Sequence, residues 1–169
     1  MLSIDEVLQD EEVKKEYHNT VLLSLFKRFC YNRRKDDKYS NRIYKLYRES
    51  KDARITTKAI MEDEFSIKLN DGDCELMTSW IIANERKSNR RKKLDNDLKQ
   101  ALLKKQQGVC SICGDTLPTD YSKINIDHIV PFELVGDELS DNYQCLCEHC
   151  NKSKSSKIDY VLLRKLNIR

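Results

Sequence analysis

CLCEHCNKSK, residues 145–154, puts three cysteines, a histidine, an asparagine and two lysines into ten positions. How these side chains divide between structure and chemistry decides how the last third of the chain folds. Cys147 and Cys150 have the x-x spacing of a knuckle, which supplies two corners of a tetrahedral metal site. A matching pair, Cys110 and Cys113, lies in GVCSICGD, with 33 residues between Cys113 and Cys147. Four thiolates close the coordination sphere, so this arrangement points to a structural zinc rather than a reactive one. Cys145 offers an alternative pairing with Cys150. If residues 144–146 are extended, however, Cys145 faces away from its neighbours and reads as core. His149, inside the knuckle, reads as an exposed polar residue.

Between the two knuckles runs KINIDHIVPFELVGDELSDNYQCL. Ile124 and Ile126 alternate with Asn125 and Asp127, the pattern of a half-buried strand, and Pro131 cuts that strand off just after Asp127-His128. A carboxylate can hold a hard divalent cation, and a neutral imidazole can take a proton from water near pH 7. On an ideal strand these two side chains face opposite ways, so they serve one site only if the strand bends there.

The rest of the chain is helical in character. Ser3 and Glu6 form an S-x-x-E capping box, and apolar residues recur at helical spacing through Val7, Leu8, Val13, Val21, Leu22, Leu25 and Phe26. Further helices are expected over Asn41 to Arg48, from near Thr56, and from Cys74 to Arg86 after the Asn70-Asp71-Gly72 turn. The last two invite comparison with a helix-turn-helix, although most such pairs simply pack together. Residues 88–107 are helix-compatible, with Gly108 as the stop. At 35% charged and 39% hydrophobic, with four Gly and two Pro, the composition fits a globular, helix-rich chain. The acidic start has no signal-peptide pattern, the longest apolar runs are too short to span a bilayer, and a cytoplasmic protein without membrane contact is expected. Seven cysteines, an odd number with five from residue 110 onward, argue for metal rather than disulfides.

The net charge of +3 conceals an asymmetry. Residues 84–107 carry nine Lys and Arg against three Asp and Glu, whereas residues 1–83 carry 15 against 16 and residues 108–169 carry 7 against 9. Arg90, Arg91, Lys92 and Lys93 are consecutive, and such a run attracts a polyanion in a salt-dependent way. Lys152, Lys154 and Lys157 follow the last knuckle and can meet phosphate oxygens.

The combination of C-x-x-C, DHIVPF, Asn142 and C-x-x-C-N with trailing lysines resembles the HNH (ββα-metal) endonucleases over about residues 98 to 158. Taken with the helical patterning of the first part, the resemblance points to an α+β, mostly helical chain: a helical region over 1–87 for target binding or dimerisation, a basic helical connector over 88–107, and a zinc-stabilised ββα-metal domain over 108–169. It implies that Asp127 binds the catalytic cation, His128 is the general base, Asn142 braces the hairpin loop and Asn151 completes the metal site. The H-N-N pattern, with Asn151 in place of the commoner His, is similar to the phage recombination endonuclease VII type. One carboxylate and one amide oxygen suit Mg²⁺ or Mn²⁺ better than Zn²⁺ at the reactive centre. The expected activity is cleavage of DNA in restriction or phage defence, with a branched-DNA nuclease as the alternative. A non-catalytic zinc module that binds nucleic acid would need only the four cysteines. Cutting two strands with one site per chain is simplest with two chains, which points to a homodimer.

Overall fold

Helix starts follow the caps written in the sequence. Ser3 accepts the Glu6 backbone N–H at 3.2 Å and donates its own to the Glu6 carboxylate at 2.7 Å, so α1 (Ile4–Val7) opens with a complete capping box. Asp10, Asp36, Asp52, Asn70 and Asp95 each accept a backbone N–H at the start of α2 (Glu11–Lys35), α3 (Asp37–Glu49), α4 (Ala53–Phe65), α5 (Asp71–Arg86) and α6 (Asn96–Lys105). The computed structural model describes residues 3–168.

The helix expected across residues 88–107 is shorter. Residues 88–95 are irregular, and only α6 is helical. The Lys92 backbone N–H explains part of this, because it is spent on the Asp137 carboxylate at 2.6 Å rather than on a helical carbonyl. The helix-turn-helix comparison resolves into the simpler alternative, with α4 and α5 packed on each other in one core.

The chain is α+β and mostly helical. Among the described residues the sheet is a single antiparallel pair, β1 (Asn125–His128) and β2 (Tyr143–Leu146), in which Asp127 lies opposite Gln144 and His128 opposite Tyr143. A short helix, α7 (Phe132–Val135), lies in the connection between the strands. After β2 come α8 (Glu148–Lys154) and α9 (Tyr160–Lys165), and α9 returns to pack on α2.

Two cores form. Phe26, Phe29, Ile43, Met61, Met77 and Ile81 are fully buried between α2, α3, α4 and α5, and Val130, Leu134 and Val135 from the strand connection join them. The second core is small, built on Ile112, Leu117, Ile124, Cys145 and Leu146 beside the knuckle cysteines. The hairpin therefore has its sheet in one core and its loop in the other. Gly136 permits the close approach: its φ is +59°, and a Cβ there would stand 3.2 Å from the Ser88 carbonyl oxygen. No helix among the described residues is long and apolar enough to cross a membrane.

Candidate active site and metal centre

The two knuckles meet. Cys110, Cys113, Cys147 and Cys150 place their Sγ atoms within 4.8 Å of one another, and Cys113 and Cys147 are 3.9 Å apart. Zn–S bonds of about 2.3 Å in a tetrahedron require S···S edges of roughly 3.8 Å, so the donors fit zinc in both kind and spacing. Cys110 and Cys113 sit in a tight turn where Gly114, at φ +77°, donates to the Cys110 carbonyl. Cys147 caps α8, and its sulfur accepts the Cys150 N–H at 3.4 Å. Cys145 is wholly buried on β2 outside this cluster, and burial raises its thiol above the ordinary value, which keeps it neutral. His149 is exposed.

At the end of β1, His128 is buried, and its Nε2 lies 2.7 Å from Oδ1 of Asp137, a residue the sequence reading passed over. The Tyr143 hydroxyl donates to the same Oδ1 at 2.7 Å, the Lys92 N–H donates to Oδ2 at 2.6 Å, and the Lys92 ammonium donates to the Asp137 carbonyl at 2.7 Å. Burial opposes ionisation of Asp137, but the Lys92 N–H and the bonds from His128 and Tyr143 outweigh it and hold the carboxyl below its usual value. Burial, and then the same carboxylate, push Tyr143 up to about 12, so its phenol stays protonated and remains a donor. The His128 ring lies between Phe132, 5.4 Å away by centroids, and Tyr143, 5.0 Å away. Arg91 covers the Phe132 ring at 4.6 Å.

Asn142 is buried and clamps the chain just beyond His128. Its Oδ1 accepts the Val130 N–H at 2.7 Å, its Nδ2 donates to the Val130 carbonyl at 2.8 Å, and its backbone carbonyl accepts the Ile129 N–H at 3.0 Å. Asp127 points elsewhere: its Oδ2 is 2.7 Å from the Lys154 ammonium, which also donates to the His128 carbonyl at 2.9 Å. The Lys154 side chain is only 5% exposed, so this lysine, expected to meet phosphate, faces inward instead. Lys152 and Lys157 are exposed. Asn151 is half-buried on α8, one turn before the Lys154 that meets Asp127. All four residues of the basic run are exposed, and two of them also contact the site's support, Lys92 through Asp137 and Arg91 over the Phe132 ring.

Asp137 was hard to read from the sequence because VGDELSD offers three acidic residues with no period to rank them. Its role appears only when the loop folds back over β1 and the 88–95 segment crosses behind it.

No curated protein and no solved structure matches the chain. Residues 110–167 match the family described as HNH endonuclease. The match begins at the first knuckle cysteine and takes in the hairpin, α8 and α9, so the C-terminal third of the chain is similar to the HNH endonuclease family.

Proposed function

We propose that the protein is a metal-dependent DNA endonuclease that hydrolyses phosphodiester bonds with His128 as general base. The observation that carries this reading is the buried His128–Asp137 pair at the strand end of an HNH-family domain. A carboxylate held ionised accepts a hydrogen bond rather than donates one, so Nε2 of His128 is assigned the hydrogen, which in the neutral ring leaves Nδ1 as the acceptor. An imidazole fixed in one tautomer with a free lone pair is prepared to take a proton from an attacking water, a step worth about 10²- to 10⁴-fold in rate. A zinc module that only bound nucleic acid would gain nothing from locking this ring.

Asp127 and the amide oxygen of Asn151 are the protein groups assigned to a divalent cation, Mg²⁺ or Mn²⁺, which when bound supplies Lewis-acid stabilisation of the charge developing on the phosphate. The donors suit a hard cation. Because Lys154 already offsets the Asp127 charge, the protein alone offers such a cation little net negative charge, and phosphate oxygens of the substrate are needed to complete the set. Asn142 keeps residues 129 and 130 in place, so the His128 ring is presented at a fixed height above the strand. Exposed Lys152, Lys157, Arg90 and Lys93 are assigned to the DNA backbone.

The test is nicking of supercoiled plasmid with Mg²⁺ or Mn²⁺, with wild type compared to His128→Ala. Cutting by the first and not by the second supports the proposal. A wild type that cuts no supercoiled, linear or branched substrate would falsify it. Use in restriction or phage defence belongs to the same proposal and is tested by phage plating on cells that express wild type or His128→Ala.

A further inference from the structure

Residues 27–35, KRFCYNRRK, hold five cations and no acid. They form the C-terminal third of α2, whose neighbours on the first 26 residues and on α3 supply enough acids to hide them in any regional tally. Arg33 is buried, stacked at 4.7 Å over the Tyr44 ring. Lys27, Arg28, Arg34 and Lys35 are exposed. At about 100° per residue these four and Tyr31 fall within roughly 120° of arc, one continuous stripe on the outside of the helix. Tyr31 is 46% exposed at its middle, with the Arg28 guanidinium 5.4 Å and the Lys35 ammonium 4.5 Å from its ring. The ring thus holds two long side chains outward at low cost in freedom.

The stripe runs directly into the site. Arg34 donates to the Glu133 carbonyl at 3.2 Å, and the Lys87 ammonium donates to the same oxygen at 2.6 Å. Glu133 follows Phe132, the residue that packs on His128 and carries Arg91 on its ring. Cations from α2, from the end of α5 and from the 88–95 segment therefore converge on α7. Burial and the neighbouring Arg34 hold the Lys87 ammonium below its ordinary value. Glu133 is the exposed carboxylate in their midst, while Asp36, beyond Lys35, is engaged as the cap of α3.

We propose that the exposed basic stripe of α2, Lys27, Arg28, Arg34 and Lys35 around Tyr31, is a docking track for the phosphate backbone of duplex DNA that flanks the site of cleavage. The proposal rests on the reading of the site as a DNA endonuclease and extends it to where the uncut part of the substrate lies. The stripe spans roughly 12 Å along the helix axis, and a DNA strand carries a charge about every 3.4 Å of its axis, so the track matches three to four successive phosphates. A rigid helix suits this use, since contacts to phosphate set register and orientation and carry no base sequence.

The experiment measures binding of a fluorescein-labelled 30-base-pair duplex by anisotropy, in buffer without added Mg²⁺ or Mn²⁺, across a salt series. Lys27→Ala/Arg28→Ala/Lys35→Ala leaves the buried core and the α7 contacts in place. This variant is expected to bind about tenfold or more weakly at 0.1 M salt, with its log–log salt slope reduced by roughly 2 to 3, at about 0.9 per phosphate contact. Plasmid nicking by the same variant should show a raised KM and an unchanged kcat. Lys14→Ala/Lys15→Ala removes charge from the same helix about 20 Å or more from Arg34 along the axis and should leave binding near wild type. An unchanged affinity and slope in the triple variant, or an equal loss in the Lys14/Lys15 control, overturns the track. A wild type that cuts plasmid while the triple variant cuts and binds equally well overturns the track alone. A wild type that binds duplex through the stripe yet never cuts overturns the endonuclease reading and keeps the track. A wild type that binds no duplex overturns the track as well.

Discussion

His128 and Asp137 are 2.7 Å apart with both side chains nearly enclosed, so each controls what the other can do. His128→Ala should lower nicking about 10²- to 10⁴-fold, since it removes the base while Lys92 and Tyr143 still hold Asp137. Asp137→Asn is subtler, because an amide can accept from Nε2–H through its oxygen or donate through its nitrogen, and the ring is no longer confined to one tautomer. Loss of roughly 10- to 100-fold in kcat with KM unchanged is expected, the scale seen when a partner orienting a functional His is removed. ¹⁵N chemical shifts of His128 should show the Nε2–H form in wild type and a mixture in Asp137→Asn. The same carboxyl has a stability consequence. Its folded-state value lies below the ordinary one, so its contribution is complete above about pH 4 and disappears as pH falls through the depressed value. The gap in denaturant-unfolding free energy between wild type and Asp137→Asn should therefore narrow only below about pH 4. The four cysteines, Asp127 and His128 were legible as chemistry because their spacing and types are unusual. Asp137 was not, since a buried partner is defined by a fold-back in space, and neither was the inward turn of Lys154, which depends on Asp127 lying beneath α8.

At the scale of elements, the loop from Ile129 to Asn142 carries the geometry of the site, and two of its residues can be tested. Asn142→Ala would leave the Val130 N–H and carbonyl unpaired in a buried loop, at a cost of about 2 to 4 kcal/mol in thermal or denaturant unfolding. Gly136→Ala would add a Cβ 3.0 Å from the Lys87 Cβ at a φ that L side chains rarely adopt. About 1 to 3 kcal/mol of destabilisation is expected, with slower nicking because the 88–95 segment that supports Asp137 is displaced. Helix positions were readable from period, but two starts lie earlier than the pattern placed them: Asp52 caps α4 at Ala53 rather than near Thr56, and Asn70 caps α5 at Asp71, within the stretch that reads as a turn. The connector was misread as helix throughout. Nothing local in SNRRKKLD forbids a helix, and part of what holds it irregular is the Lys92 N–H bound to a carboxylate 45 residues away.

At the scale of the whole molecule, the small zinc-side core has only a few large apolar residues beside its cysteines, too few to order the sheet without the metal. Stripping zinc with a chelator, or replacing Cys113 with Ser, should release the hairpin and α8 to limited proteolysis. Most far-UV helical signal should remain, because α2 to α5 are held by their own core. Retained protection of residues 110–155 after zinc loss would refute the four-thiolate assignment. The helical region also shares its core with Val130, Leu134 and Val135, so it is fastened to the loop that carries the site. Its basic stripe was invisible to a charge tally over residues 1–83, which averages near zero, and it emerges only when helical phase sorts exposed from buried cations. The sequence by itself determined the two cysteine knuckles, the helices that period marks and the strand that ends in Asp127-His128, because each rests on residues within a few positions of one another. Only tertiary structure decided that Asp137 faces His128, that Lys154 meets Asp127 and that α2 reaches α7. Those contacts join segments 9, 27 and about a hundred residues apart, and no local spacing encodes a distance of that kind.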